Sequence, residues 1–242
     1  MIKPDTIVTH PKDILYPLFM QRINRDRHLF NKMIVVMTPG ATGINFTNYV
    51  KDHLVDATII EEYLDSGVDW RNAALTEGLK SSDGDAILFL EQDFLVVDGF
   101  FEALIKKLDD FNTIGAIAGA GLGERFHPSC LLVRKNVLNA TQQDFSVDPD
   151  KGDHFAKLTR ELLRKGSWSD LTRLPRHFHL NGLTQNYRLT KNWYDHQIFF
   201  EYNRLSQKLP QHNTWREFCR IKEGEMTGIT AHPFINLVEF FL

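Results

Sequence analysis

Residues 66–94 read SGVDWRNAALTEGLKSSDGDAILFLEQDF, and this stretch contains the pattern that decides the fold. Its first part, 68–80, is amphipathic and leads into Ser81-Ser82-Asp83-Gly84, a run typical of a turn. The run over 85–90, which includes AILFL, is typical of a strand buried on both faces. Helix, turn and buried strand in this order predict a crossover in a parallel α/β sheet.

Acidic side chains follow the predicted strand directly, as Glu91-Gln92-Asp93. Open α/β sheets bind ligands at the carboxyl ends of their strands, so this tripeptide predicts the functional site. Two structural alternatives are open at this point. Asp93 is also placed to cap a helix over 96–108, and Glu91 is also typical of a solvated strand end.

The same alternation of β-branched runs and amphipathic stretches continues through most of the chain. The expected strands are 6–9, 33–37, 57–60, 85–90, 114–121 and 129–133, and the expected helices are 13–30, 68–80, 100–108 and 154–165. This order predicts an α/β class with a mostly parallel central sheet flanked by helices. The expected organisation is a domain over 1–180 and a C-terminal extension over 181–242, packed on the same domain.

The composition excludes several classes of protein. With 43% hydrophobic and 24% charged residues, the chain of 242 residues is neither disordered nor collagen-like nor a disulfide scaffold. Its two cysteines, Cys130 and Cys219, have no zinc-finger spacing and favour a reducing compartment. Because no apolar run reaches about 18 residues and no leader pattern occurs, the sequence predicts a cytoplasmic protein without a membrane span.

Four features of the central stretch occur in a recognisable order. Arg71-Asn72-Ala73-Ala74-Leu75 is followed by Gly84-Asp85, by the apolar strand and by Glu91-Gln92-Asp93. This order resembles that of family 2 glycosyltransferases of the GT-A fold, in which an Arg-Asn-Ala-Gly-Leu helix leads to Gly-Asp, an apolar strand and an Asp-x-Asp motif. The resemblance covers about residues 5–183 and implies a GT-A fold, with the C-terminal extension on the acceptor side.

The resemblance also implies which residues bind a nucleotide diphosphate-sugar. They follow the first two strands, begin the helix and follow the buried strand, and they are Thr9, His10, Pro11, Thr38, Arg71, Asn72, Glu91, Gln92 and Asp93. Thr38-Pro39-Gly40-Ala41 stands where the family shows Asp-Asp-Gly-Ser, which removes the carboxylate expected to contact the base. For Arg71 and Asn72, a salt bridge at the helix start and helix capping are the structural alternatives.

Sugar transfer from such a donor predicts a metal ion. Breaking the bond develops negative charge on the diphosphate, which a divalent cation neutralises as a Lewis acid. Oxygen ligands suit Mg²⁺ or Mn²⁺, and Mn²⁺ also accepts an imidazole. The resemblance implies Mn²⁺ or Mg²⁺ held by Asp93, with Glu91 either a ligand through water or a contact to the ribose, and with His179 as a third candidate ligand. A histidine in such an extended segment is otherwise a hydrogen-bonded packing residue.

Transfer with inversion also needs a base that removes the acceptor proton. Asp153 is the first candidate, and Asp150 and Asp170 are the alternatives. Asp153 is equally well placed as the N-cap of the helix over 154–165, so both roles are open from its position alone.

The predicted function is a metal-dependent, inverting glycosyltransferase with an acceptor hydroxyl on a saccharide, a protein or a hydroxymethylated DNA base. Residues 1–145 hold 14 basic and 20 acidic residues, a net charge of −6, whereas 146–242 hold 14 and 11, a net charge of +3. Basic and aromatic residues over 157–194 keep DNA open as the acceptor, although such a run is more often a solvated helix face. The alternative functions are a nucleotidyltransferase and a non-catalytic carbohydrate- or nucleic-acid-binding module.

Overall fold

Strands and helices alternate along the chain in the order that the sequence predicts. The computed structural model describes residues 1–9, 23–37, 48, 51–52, 56–61, 70–91, 94–96, 98–111, 114–119, 127–147, 155–165, 168–171, 174 and 177–179. The chain divides into two compact units, one of Met1–Gln92 with Gly99–Pro175 and one of Asp93–Asp98 with Arg176–Leu242. The boundary at residue 180 stays a prediction.

The first unit contains a seven-stranded sheet with helices on it. Its strands are β1 (Asp5–Thr9), β2 (Met33–Met37), β3 (Ala57–Glu61), β4 (Ala86–Leu90), β6 (Ala116–Gly119), β7 (His127–Arg134) and β8 (Trp168–Asp170). Its helices include α1 (Trp70–Lys80), α2 (Phe100–Asp110), α3 (Lys135–Asn139) and α4 (Ala156–Arg164). In the second unit, the described residues form the two-stranded pair of β5 (Phe94–Val96) and β9 (His177–His179).

The strand order of the large sheet is β3-β2-β1-β4-β7-β6-β8. The four strands β1 to β4 are parallel to one another. β7 is antiparallel to both β4 and β6, and β8 is parallel to β6. Because two reversals restore the direction, β6 and β8 run the same way as β4. The prediction of a mostly parallel α/β sheet is therefore confirmed.

Both faces of the sheet are buried, as expected where helical crossovers cover parallel strands. Every residue of β2 and β4 is buried. On one face, alternating strand residues such as Ile87 and Phe89 form an apolar cluster with residues of α1, α3 and α4. Gly78 of α1 lies so close to β1 that an added Cβ would be 2.7 Å from Cγ2 of Ile7. A glycine at this position allows the helix to approach the sheet.

A buried carboxylate joins the amino ends of three parallel strands. Asp5 begins β1 and is fully buried. Its Oδ1 accepts hydrogen bonds from the Asn31 side chain (2.8 Å) and the Lys32 backbone N–H (3.2 Å), which precede β2. Its Oδ2 accepts from the backbone N–H groups of Asp83 (2.8 Å) and Gly84 (2.7 Å), which precede β4. Asp5 therefore ties the starts of β2 and β4 to the start of β1.

We predict that Asp5→Asn lowers the free energy of unfolding by about 2 kcal/mol or more, because the new amide group would face backbone N–H donors and leave them without an acceptor. Asp83→Asn is the matched control. It alters an ion pair with Lys32 in which the Asp83 side chain is 70% exposed, so it should cost much less. Urea unfolding of both variants measures the difference. Equal destabilisation by the two would contradict the role given to Asp5.

The hydroxyl of Thr6 is a second buried polar group in β1, and it differs from the Asp5 carboxylate in its hydrogen bonding. Thr6 is fully buried, and its Oγ1 has no hydrogen-bond partner among the described residues. Thr6→Val keeps the branched shape and removes the unpaired hydroxyl, so we expect the free energy of unfolding to rise by about 1 kcal/mol. Thr159→Val is the control. The buried Oγ1 of Thr159 donates to the Phe155 carbonyl at 2.8 Å, so its removal should lower the free energy of unfolding. Urea unfolding of both variants reports the sign, and a gain for both would contradict the argument.

Two capping alternatives from the sequence are wrong. The helix expected from Val96 is α2, which begins at Phe100 with Gly99 at its N-cap, and Phe94–Val96 is the strand β5. Asp93 is therefore not the cap of this helix. The N-cap of α4 is Phe155, so Asp153 does not cap that helix either.

Other elements differ from the sequence prediction in extent. The short elements α3 and β8 were not predicted, because neither has the length that gives a clear period. Of the helix expected over 13–30, residues 23–26 are helical and continue into a 3-10 turn at Arg27–Leu29, while 10–22 lie outside the described residues. No helix in the described part of the chain is long and apolar enough to cross a membrane.

Candidate active site

The strand order of the large sheet reverses direction at one point. From β1 the chain moves outward to β2 and β3, and it then returns to place β4 on the other side of β1. The order therefore reverses between β1 and β4, and open α/β sheets bind ligands in the crevice outside the carboxyl ends of the strands at such a point. Thr9 ends β1 and Glu91 follows β4, and the pairing of Ile7 with Phe89 brings their positions level.

The backbone of Glu91 is fixed at this edge. Its N–H donates to the Ser129 carbonyl at 2.9 Å, and the preceding Leu90 lies opposite Cys130 of β7. Ser129 and Cys130 are both buried, and burial raises the pKa of the Cys130 thiol above its usual range. Cys130 is thus a neutral core residue, whereas Glu91 is partly exposed at the strand end.

Arg71 and Asn72 begin α1, whose other end is attached to the amino edge of the sheet. The turn after α1 donates two backbone hydrogen bonds to Asp5. A helix of 11 residues is about 16 Å long, so its first turn lies towards the carboxyl edge. Asn72 lies inside the first turn, and its carbonyl accepts a hydrogen bond from the Thr76 hydroxyl at 2.8 Å. Asn72 is therefore not the N-cap residue of α1.

The second unit brings together two segments that are far apart in the sequence. β5 and β9 are antiparallel, with Phe94 opposite His179 and Val96 opposite His177. Residues opposite each other in such a pair have Cα atoms about 5 Å apart. The backbone of His179 thus lies beside the residue that directly follows Asp93 in the chain.

Several predicted site residues cannot be placed. His10, Pro11, Thr38, Gln92, Asp93, Asp150 and Asp153 lie outside the described residues, and the side chain of His179 does too. Within the described part of the chain, no three His, Cys, Asp or Glu side chains cluster as metal ligands would. Asp170 ends β8, which runs parallel to β4, so its backbone lies at the same edge of the sheet as Glu91.

Two phenylalanines, Phe145 and Phe155, pack on Phe89 of the predicted buried strand, and the sequence analysis did not identify either as a core residue. Phe89 of β4, Phe145 and Phe155 form a triangle of rings with centroids 5.4 to 5.7 Å apart. All three are buried. Phe145 is a single aromatic in a polar stretch, so no periodic signal marks it as a core residue. The triangle attaches the chain before 148–154 and the chain after it to the same strand, two residues from Glu91.

A polar cluster joins the same two parts of the chain. The carboxylate of Asp144 accepts hydrogen bonds from the Ser146 hydroxyl (2.6 Å), the Ser146 backbone N–H (2.8 Å) and the Lys157 ammonium (2.9 Å). Lys157 Nζ also donates to the Ser146 hydroxyl at 2.6 Å. The hydrogen bond from Lys157 and those from Ser146 lower the pKa of Asp144 to about 2. Its carboxylate is therefore ionised throughout the neutral pH range.

Two complexes of one enzyme are among the solved structures with a similar fold. Glucosyl-3-phosphoglycerate synthase from Mycobacterium tuberculosis, in complex with Mg²⁺ and uridine diphosphate, superposes with a TM-score of 0.54 and 12% identity, over 86% of this chain and 79% of that chain. Its complex with Mn²⁺, uridine diphosphate and glucosyl-3-phosphoglycerate gives 0.53 and 12%, over 74% and 72%. The chain has the GT-A fold.

A mannosyltransferase from Pyrobaculum calidifontis, in complex with GDP-Man and Mn²⁺, gives a TM-score of 0.45 and 15% identity over 64% of this chain. The chain spans about half of that protein, since the match covers 50% of it. No family model and no curated protein matches the sequence. The resemblance to GT-A glycosyltransferases that the sequence predicted is thus confirmed as a likeness of fold.

Proposed function

We propose that this GT-A chain is a metal-dependent, inverting glycosyltransferase that moves a sugar from a nucleotide diphosphate-sugar to an acceptor hydroxyl. The observation that carries the proposal is the pairing of β5 with β9. It places the backbone of His179 beside Phe94, the neighbour of Asp93. These are the two segments to which the sequence resemblance assigns metal ligands.

The metal in this proposal is Mn²⁺ or Mg²⁺, held by Asp93 and Glu91 with His179 as a further ligand. The donor set fits such an ion, since two carboxylates and one imidazole form a set that Mn²⁺ accepts. When bound, the cation would neutralise the charge that develops on the departing diphosphate. The solved structures of the synthase contain Mn²⁺ or Mg²⁺ with a nucleotide, which supports this choice of ions.

The nucleotide in this proposal binds along the carboxyl edge of the parallel strands. Thr9, His10 and Pro11 follow β1, and Thr38 follows β2. The first turn of α1 presents Arg71, which pairs with phosphate oxygens as a charged donor, and Asn72, which offers both a donor and an acceptor. Gln92 lies between the two carboxylates in the sequence and completes the proposed donor-binding set.

The proposed base is Asp153, with Asp150 and Asp170 as alternatives. The N-cap of α4 is Phe155 and not Asp153, so helix capping does not account for an aspartate at position 153. This favours Asp153 as the base. Asp170 has its own support, since β8 ends at the same edge of the sheet as β4. The extension over 181–242 is proposed to form the acceptor side, where a saccharide, a protein or a hydroxymethylated DNA base would bind.

A screen of nucleotide sugars tests the function directly. Thermal stabilisation is measured for UDP-, GDP- and other nucleotide sugars with and without Mn²⁺, since a ligand that binds only the native state raises its stability. Stabilisation by one donor that requires the metal supports the proposal. The hits are then incubated with acceptors, including phosphoglycerate, which is bound in several structures of the synthase. Binding without transfer or donor hydrolysis would favour the binding-module alternative. Release of a sugar 1-phosphate, the group left behind when the nucleotidyl group is moved from the donor, would favour the nucleotidyltransferase.

We predict that Glu91→Gln and Asp93→Asn each abolish Mn²⁺-dependent nucleotide binding and leave the unliganded melting temperature near that of the wild type. An amide keeps the volume of the carboxylate but loses the charge that a divalent cation requires. Glu102→Gln, at an exposed position of α2, is the matched control and should bind the nucleotide normally. Isothermal titration with and without Mn²⁺ gives the affinities. If a variant binds the nucleotide with the same dependence on Mn²⁺ as the wild type, the substituted residue is not a metal ligand.

We predict that Asp153→Asn lowers turnover by about 10²-fold or more, because the amide cannot remove the acceptor proton. Donor affinity should remain unchanged, since the base contacts the acceptor. Asp150→Asn and Asp170→Asn are the comparison variants, and steady-state rates with a saturating donor provide the measurement. If Asp153→Asn turns over normally and one of the other two does not, the role of base passes to that residue.

A further inference from the structure

The cluster of Asp144, Ser146 and Lys157 is more than an isolated surface ion pair. Lys157 and Asp144 side chains are 35% and 33% exposed, and Ser146 connects them through its hydroxyl. One turn after Lys157, the carboxylate of Glu161 accepts a hydrogen bond from the Gln142 backbone N–H at 3.0 Å. One face of α4 therefore binds the chain before residue 148 through two charged groups one helical turn apart.

The aromatic triangle holds the same two parts of the chain from below. Phe145 lies between Asp144 and Ser146, and Phe155 lies two residues before Lys157. Both rings contact Phe89 of β4 and each other. Packing of the rings thus holds both parts on β4 and against each other, and the polar cluster adds hydrogen bonds of charged groups between the same two parts.

These contacts fix where the intervening residues 148–154 begin and end. The distance between the ends of a short segment limits the positions that its residues can reach. Under the proposed function, this segment holds the candidate base Asp153 and its alternative Asp150. A base must lie within hydrogen-bond reach of the proton that it removes, so small shifts of the two ends would change its rate of proton transfer.

We propose that Asp144, Ser146 and Lys157 are positioning residues for sugar transfer: they hold the two ends of segment 148–154 together beneath the carboxyl end of β4. The inference rests on the proposed function for its effect on turnover. It assigns these residues no contact with the donor, the acceptor or the metal. Their removal should therefore change the rate of transfer and leave nucleotide binding as it is.

The test uses Lys157→Met in the full chain, because methionine keeps most of the apolar stem and loses the ammonium. We expect kcat to fall by about 10- to 100-fold, the range for a misplaced catalytic group. The affinity for the nucleotide and its dependence on Mn²⁺ should match the wild type. Lys157→Arg should recover most of the turnover, since the guanidinium can also donate to Asp144. The matched control is Lys106→Met, which removes an ion pair with Asp110 within α2 and should leave kcat unchanged.

A second measurement does not depend on turnover. Amide hydrogen exchange is followed in peptides covering 142–147 and 155–158 of the wild type, Lys157→Met and Lys106→Met. Loss of the charge-assisted hydrogen bonds should speed exchange about 10-fold in Lys157→Met and not in Lys106→Met. The double variant Asp144→Asn with Lys157→Met should be no worse than Lys157→Met alone, because both changes break one unit.

The outcomes separate this inference from the proposed function. If the wild type shows no metal-dependent nucleotide binding, the proposed function fails, whatever the exchange data show. If it binds and transfers sugar but Lys157→Met has the wild-type kcat or the wild-type exchange rates, the positioning role is overturned. Equal losses in kcat and in nucleotide affinity would also overturn it, since they indicate general damage to the fold.

Discussion

The buried carboxylate of Asp5 is the constraint on which the arrangement of the parallel strands depends. A charged group without water needs hydrogen-bond donors, and four donors from the chain before β2 and before β4 converge on it. Because β1 lies between β2 and β4, this fixes the amino ends of all three strands relative to one another. The register pairs Asp5 with Ile87 and Ile7 with Phe89, and the same offset places Thr9 level with Glu91 at the opposite edge.

Much of the fold could be predicted from the sequence, because its signals are local. The run AILFL, the turn before it and the alternation of strands and helices are all contained within short windows. Asp5 could not be predicted as a buried residue, since an aspartate at a strand start normally indicates solvent. Its partners come from two loops that are distant in sequence, and only the assembled sheet brings them together. Phe145 was missed for the same reason.

For the candidate site too, features with a local sequence signal could be predicted, and features that depend on distant segments could not. The carboxyl edge and Glu91 followed from the order of strand and acidic residues, which needs only the rule for open α/β sheets. The pairing of Phe94 with His179 could not be derived, because strand pairing between distant segments has no local signature in three-residue strands. The resemblance to GT-A glycosyltransferases pointed to His179 where physical reasoning from the residues favoured a packing histidine. The backbone pairing is what gives that suggestion a physical basis.

Glu91 and Asp5 are held in place in two different ways, Asp5 through its carboxylate and Glu91 through its main chain. Asp5 is positioned by hydrogen bonds to its own oxygens, so those oxygens are occupied and its contribution is to stability. A carboxylate that binds a metal needs its oxygens for the ion, so it has to be positioned in another way. The main chain of Glu91 is held by the Ser129 carbonyl and by the packing of Phe89 two residues earlier. Neither contact uses the carboxylate, which suits the metal-binding role proposed for Glu91.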